Sequence, residues 1–119
     1  MAYIDGFLIP VPKKNLAEYK AVSRKAGKVW LEHGALEYRE SVGDDLEHKG
    51  LASFVKAAGA KKDEVVVFSW ITFKSRAHRD KVNKKVMADA RLAEMCKPGA
   101  APFDVKRMAY GGFAGLVEM

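Results

Sequence analysis

Hydrophobic residues alternate with polar ones in some stretches of this chain and recur every third or fourth position in others. The switch between the two periods divides the chain into elements. A first strand is predicted from Ala2 to Val11, with Pro10 and Pro12 ending it because proline donates nothing to a ladder. A helix follows from about Lys14 to His33: Leu16, Tyr19, Val22, Ala26, Val29, Trp30 and His33 step by threes and fours into one face. Gly34 stands where a left-handed residue closes a helix. Ala35 to Val42 alternates as a second strand. Residues 43–62 carry Gly43, Asp44, Asp45, Gly50 and Gly59 around a short apolar patch and read as a loop with one helical turn. Glu64 to Phe73 is the clearest strand, rich in β-branched and aromatic residues on both faces, a pattern that belongs inside a sheet. Ser75 is a good N-cap for a helix to about Asp89, where a short helix restarts and runs to Met95. A last strand is predicted from about Lys106 to Val117.

The order β-α-β-β-α-β predicts an α+β, ferredoxin-like domain, a four-stranded antiparallel sheet with both helices on one face. The first strand is apolar on both sides, through Tyr3, Phe7 and Ile9 and through Ile4 and Leu8. The strand at Glu64 to Phe73 repeats this with Val65, Val67 and Ile71 against Val66, Phe68 and Trp70. One side packs on the helices and the other needs a cover, which a second copy of the chain supplies most simply. A homodimer is therefore expected. Glycines beside aromatics in Tyr3-Ile4-Asp5-Gly6-Phe7 and Tyr110-Gly111-Gly112-Phe113 mark a bulge or a close approach.

The 119 residues make one domain, and an apolar share of 49% with 30% charged is that of a globular protein. The longest apolar run, Val65 to Phe73, is too short to cross a bilayer, and Met1 to Asp5 lacks the order of a signal peptide. Cys96 is the only cysteine, so no intrachain disulfide forms and a cytoplasmic protein is expected. A net charge of +6 favours an anionic partner without choosing one. The basic ridges Lys20, Arg24, Lys28 and Arg76, Arg79, Lys81, Lys84, Lys85 fall on faces predicted to meet water. They lack the interleaved aromatics that nucleic-acid stacking uses, so a solvated surface is the better reading.

Asp5 is a carboxylate inside an apolar strand, where it must be paired, hydrogen-bonded or shifted in pKa. Two readings stay open: a proton acceptor in a cleft, or a buried pair with Arg39, Arg107 or Lys106 that fixes register. Glu37, Arg39 and Ser41 share one face of the second strand, while Leu36, Tyr38, Glu40 and Val42 share the other, and charge on both faces marks an edge strand. Ser69 interrupts the most apolar strand, to meet a ligand or a neighbouring group. Trp30 and Trp70 read as core rather than as walls of an aromatic site, and His33 suits the negative end of a helix dipole. His33, His48 and His78 have no ligand spacing, and no nucleotide-binding motif occurs, so neither metal nor cofactor is expected.

The motifs Asp5-Gly6-Phe7, Gly34-Ala35-Leu36, Glu64 to Ile71, Asp89-Ala90-Arg91 and Pro102-Phe103-Asp104 through Lys106-Arg107-Met108 to Tyr110-Gly111-Gly112-Phe113 together resemble the YbaA-like family of small bacterial proteins, a domain of unknown function. Asp89-Ala90-Arg91 departs from the Asp-Pro-Arg common in that family. The resemblance implies the dimeric α+β barrel superfamily, in which two ferredoxin-like sheets face each other across a dimer axis. Cofactor-free monooxygenases, haem-degrading enzymes, lactone isomerases and ligand-sensing domains share that fold, commonly with a site between sheet and helices. The expectation is a small-molecule cleft lined by Ser69, Trp70, Arg107 and Tyr110, with Asp5 as a general base if the protein is an enzyme. The alternatives are a non-catalytic regulatory module and, behind it, a basic protein associated with RNA or DNA.

Overall fold

A computed structural model describes residues 1–119. The elements are β1 (Tyr3–Pro12), α1 (Leu16–Glu32), β2 (Glu37–Val42), α2 (Phe54–Ala58), β3 (Glu64–Phe73), α3 (Arg76–Met87), α4 (Ala90–Met95) and β4 (Ala109–Ala114). Single 3₁₀ turns at Lys13–Asn15 and Val105–Arg107 precede α1 and β4. The four strands form one sheet in the order β2-β3-β1-β4, every pair antiparallel, which is the ferredoxin-like arrangement the element order predicted.

Each element ends for a local reason. Gly34 takes φ +116°, a conformation that disfavours a side chain, and the Ala35 amide then returns to the Trp30 carbonyl. Because that amide closes the helix, β2 begins at Glu37 rather than at Ala35. Ser75 accepts from the His78 amide, so the predicted cap holds, and Asp89, where the short helix was expected to restart, caps it by accepting from the Arg91 amide. The prolines of β1 do not stop it. Pro10 pairs with Val66, and β4 has already left the strand after Leu8, so β1 is an edge on that side and tolerates a missing donor. β4 is shorter than predicted because Asp104 accepts from the Lys106 amide and winds its approach into a 3₁₀ turn.

Alternation assigns the two sheet faces. Asp5, Phe7, Ile9 and Val11 lie on the helix side with Val67, Ser69, Ile71 and Phe73 opposite them, joined by Tyr38 and Glu40 from β2. Two buried clusters form there: Val29, Ala35, Ile71, Phe73, Val82, Val86 and Leu92 in one, Ile9, Val11, Tyr19 and Val67 in the other, with Phe7 packing against both. Each fully buried Val, Ile, Leu or Phe side chain there contributes about 1.5–3 kcal/mol. No bulge accompanies the glycines of β1 and β4. Their pairing is continuous, and the close approach is by aromatic rings: Phe113 stands over Gly6 and Tyr3 over Gly112, where a Cβ would collide with the Tyr3 ring.

The opposite face is only partly covered. The short helix α2, capped by Ser53, lies across one end of it with Phe54 edge-on to Phe68 at 6.1 Å between ring centroids. Phe68 and Phe113 nevertheless stay 46% and 62% exposed. No helix is long and apolar enough to cross a membrane.

Candidate functional site

The helix-side face of the sheet does not close completely on α1. Between the sheet, α1, α4 and the connection from Lys97 to Met108 lies a cleft of about 650 Å³. Ile9 and Tyr19 enter it from one core cluster and Ile71 and Leu92 from the other, so the cleft is the seam between the two. A mostly apolar concavity of this size is what a small organic ligand occupies.

Exposed charged residues, Arg39, Lys97, Asp104 and Lys106, border it, and deeper in it a half-buried carboxylate is set among hydroxyls. Glu40 pairs across the sheet with Ser69, which puts both on the cleft floor. The Tyr19 hydroxyl donates to Glu40 Oε1 at 2.7 Å and the Tyr38 hydroxyl to Oε2 at 2.8 Å. Burial, and after it the negative charge of Glu40, pushes both phenols above their ordinary pKa, so they remain protonated donors. No lysine, arginine or histidine lies within ion-pair distance of Glu40. Tyr38 reaches this position because Gly27 of α1 leaves room: a Cβ there would stand 2.8 Å from the ring. Ser69 is 5% exposed, and its hydroxyl forms no hydrogen bond within the chain. Since no fully buried polar side-chain atom lacks a partner, that hydroxyl opens on the cleft.

Asp5 has a different place. It is 1% exposed, does not line the cleft, and accepts from Arg79 Nη1 at 2.7 Å and Asn83 Nδ2 at 3.4 Å. Arg79 Nη1 also reaches the Tyr110 hydroxyl at 2.9 Å, the guanidinium lies 4.9 Å from the Tyr3 ring centre, and Asn83 Oδ1 accepts from the Trp30 indole. Burial first, then Asp5, raises the Tyr110 pKa. This cluster fastens α3 to the sheet. The expected partners of Asp5 were wrong: Arg39 bonds Glu37, Arg107 is elsewhere, and the cation is Arg79, which the helix pattern had turned to water. Paired and closed off, Asp5 has no path to a ligand in the cleft, and the general-base role expected of it does not fit its position.

The remaining expected residues separate. Arg107 grips Glu64 with two bonds of 2.7 Å and the Gly59 carbonyl with a third at 2.6 Å, outside the cleft. Tyr110 belongs to the Asp5 cluster. Trp70 borders the cleft, but its indole donates to Glu37 Oε1 on the opposite face, so it does not flank a ligand together with Trp30. Of the residues expected to line a cleft, Ser69 and Trp70 border this one, while Glu40, Tyr19 and Tyr38 were not among those expected. The available signal was Glu40 itself, an acid at the apolar parity of its strand. No three His, Cys, Asp or Glu side chains gather into a metal site.

Comparison with known proteins follows the same lines. Residues 2–105 match a family model described as a protein of unknown function (DUF1428). The chain is similar to the uncharacterized protein YbaA of Escherichia coli strain K12, 38% identical over 118 residues and covering 99% of both chains, and equally to YbaA of Shigella flexneri. Among solved structures it is similar to a mutant of SnoaB, a cofactor-independent oxygenase from Streptomyces nogalater, with a TM-score of 0.62, 11% identity, and 99% of this chain and 96% of that one covered. An uncharacterized NIPSNAP domain protein from Burkholderia xenovorans gives 0.58 at 12% identity, over 96% and 94%. At these identities the likeness is one of fold, an antiparallel α+β sheet with helices.

Proposed function

This chain belongs to the DUF1428 family of proteins of unknown function, and from that premise we propose that it binds a small, mostly apolar organic molecule in the sheet–helix cleft. The observation that carries the reading is the convergence of Glu40, Tyr19, Tyr38 and Ser69 on one apolar cavity of about 650 Å³. Apolar walls supply affinity, and the few polar groups fix orientation. The reading includes a homodimer joined through the helix-free face, supported by the exposed Phe68 and Phe113 and by a second apolar cavity of about 680 Å³ there. It also includes a cytoplasmic setting, supported by the single free cysteine, Cys96.

The likeness to an oxygenase that needs no cofactor favours a second reading, in which the cleft also performs chemistry. Its general base is then Glu40 rather than Asp5, because Glu40 lines the cavity half-buried and without a cation, whereas Asp104, the other carboxylate there, is exposed to solvent.

Native mass spectrometry of the purified protein, with and without gentle activation, tests the binding reading. The expected result is a dimer that releases a small molecule, and the loss of that molecule in Ala26→Trp, which fills the cleft from the α1 wall. A molecule retained equally by the variant lies elsewhere and overturns the cleft reading; a monomer overturns the dimer.

A further inference from the structure

We infer that the ligand of this cleft is an organic cation, a protonated amine on an aromatic or alicyclic body. The inference rests on the cleft reading and deepens it.

A carboxylate drawn partly out of water, as the half-buried Glu40 is, needs charge or hydrogen bonds in place of the hydration it loses. Glu40 receives two donors, one phenol on each oxygen. A carboxylate offers about four lone-pair directions, so about two are left for a guest. The two phenols are neutral, and no cation of the chain lies within ion-pair distance of Glu40. Arg39, its neighbour in sequence, borders the cleft but bonds Glu37; Lys97 at the cleft mouth bonds Glu94; Arg79 and Arg107 hold Asp5 and Glu64. Lys106, also at the mouth, is exposed to solvent and beyond ion-pair distance of Glu40. Glu40 is thus a carboxylate of the cleft that no cation of the chain pairs.

The walls have the same preference. Phe7, Tyr19, Trp30, Tyr38 and Phe103 all line the cavity, with Tyr19 edge-on to Phe103 at 5.6 Å and Trp30 tilted against Tyr38 at 6.1 Å. Aromatic faces are electron-rich and attract a cation. An anionic group seated beside Glu40 would meet it and these faces with the wrong sign. A neutral alcohol can donate one hydrogen bond but gains nothing from the charge. An ammonium group satisfies the carboxylate, and Ser69 beside it supplies a hydroxyl that accepts another of its protons.

Isothermal titration of the wild-type protein at pH 7 with tryptamine, tryptophol and indole-3-propionate, three probes differing mainly in the terminal group, decides the matter. The expected order is tryptamine tightest by about tenfold or more over tryptophol, the worth of a charge-assisted bond with cation–π contact, and the carboxylate weakest. In Glu40→Gln, whose amide oxygen can still accept from a tyrosine, tryptamine is expected to fall to the level of tryptophol. Tryptophol or indole-3-propionate binding as well as the amine, and lost in Ala26→Trp, overturns the cation and leaves the cleft standing. Absence of tryptamine binding at millimolar concentration also overturns the cation, and the retained-ligand experiment then judges the cleft separately. If Glu40→Gln fails to fold, the order of the three probes on the wild type decides alone.

Discussion

Asp5 and Glu40 both lie on the helix side of the sheet, one held by a guanidinium and the other by two phenols. The difference is set by what α1 and α3 bring over the sheet. Arg79 stands at the head of the stripe Arg79, Val82, Asn83, Val86, so its guanidinium is carried inward with the apolar side chains and only 13% of it is exposed. Arg79→Ala leaves Asp5 as an unpaired buried charge, and a loss of about 3–5 kcal/mol is expected in urea unfolding. Asp5→Asn is expected to cost less, since no charge is stranded in the interior and Arg79 keeps Asp80 at 2.8 Å. Equal losses from the two substitutions would contradict this account. The pairing was not legible in the sequence. Asp5 announced a need for a partner, but the partner is 74 residues away on a helix whose charges otherwise face water.

At the scale of elements, the connection into β4 is fastened by one clamp. Arg107 and then the Lys61 amide hold the Glu64 carboxyl down to about 2 from an ordinary 4.5. A carboxyl with a lowered folded-state pKa contributes stability that is complete above its unfolded value and is lost as pH falls through the folded one. The fold is therefore expected to lose stability as pH drops from 4.5 towards about 2, with Arg107→Gln flattening that slope in denaturant titrations. An unchanged slope in the variant would remove the clamp from the account. Asp89, held below its usual range by Arg91 and by His33 at 2.8 Å, adds to the same acid limb. The elements themselves were the most legible part of the chain: β3, the caps Ser75 and Asp89 and the turn at Gly34 sit where local chemistry predicts them. The misplacements are tertiary in origin. β4 was drawn too long because a 3₁₀ turn held by Asp104 and Arg107 looks like strand in an apolar pattern, and α2 gave no sign in the sequence that it crosses the sheet's far face.

For the whole molecule, the two faces of the sheet divide the labour. One builds the core and the cleft, while the other keeps an apolar surface across Ile4, Leu8, Phe68, Trp70 and Phe113. The proposed dimer uses that surface, so Phe113→Glu, on a side chain already 62% exposed, is expected to give a folded monomer in sedimentation velocity. A variant that still sediments as a dimer would move the interface elsewhere. The site was half legible at this scale: apolar faces on both sides of two strands implied a partner surface and the family resemblance a cleft, but which polar residues share the cleft depends on the α1–β2 packing at Gly27 and Tyr38.

The strand order has a further consequence, for the making of the protein. β1 is central, yet its neighbours are β3 and β4, the latter pairing Tyr3 with Ala114 and Ile4 with Phe113. On the ribosome the first strand to emerge is flanked by the last, and until residues 109–114 are released it has an open edge that any other strand can occupy. Folding dominated by such distant pairings is slow, because loop closure precedes the contacts that reward it. A nascent chain halted just before Ala109 is thus the species in which this sequence is most exposed to aggregation.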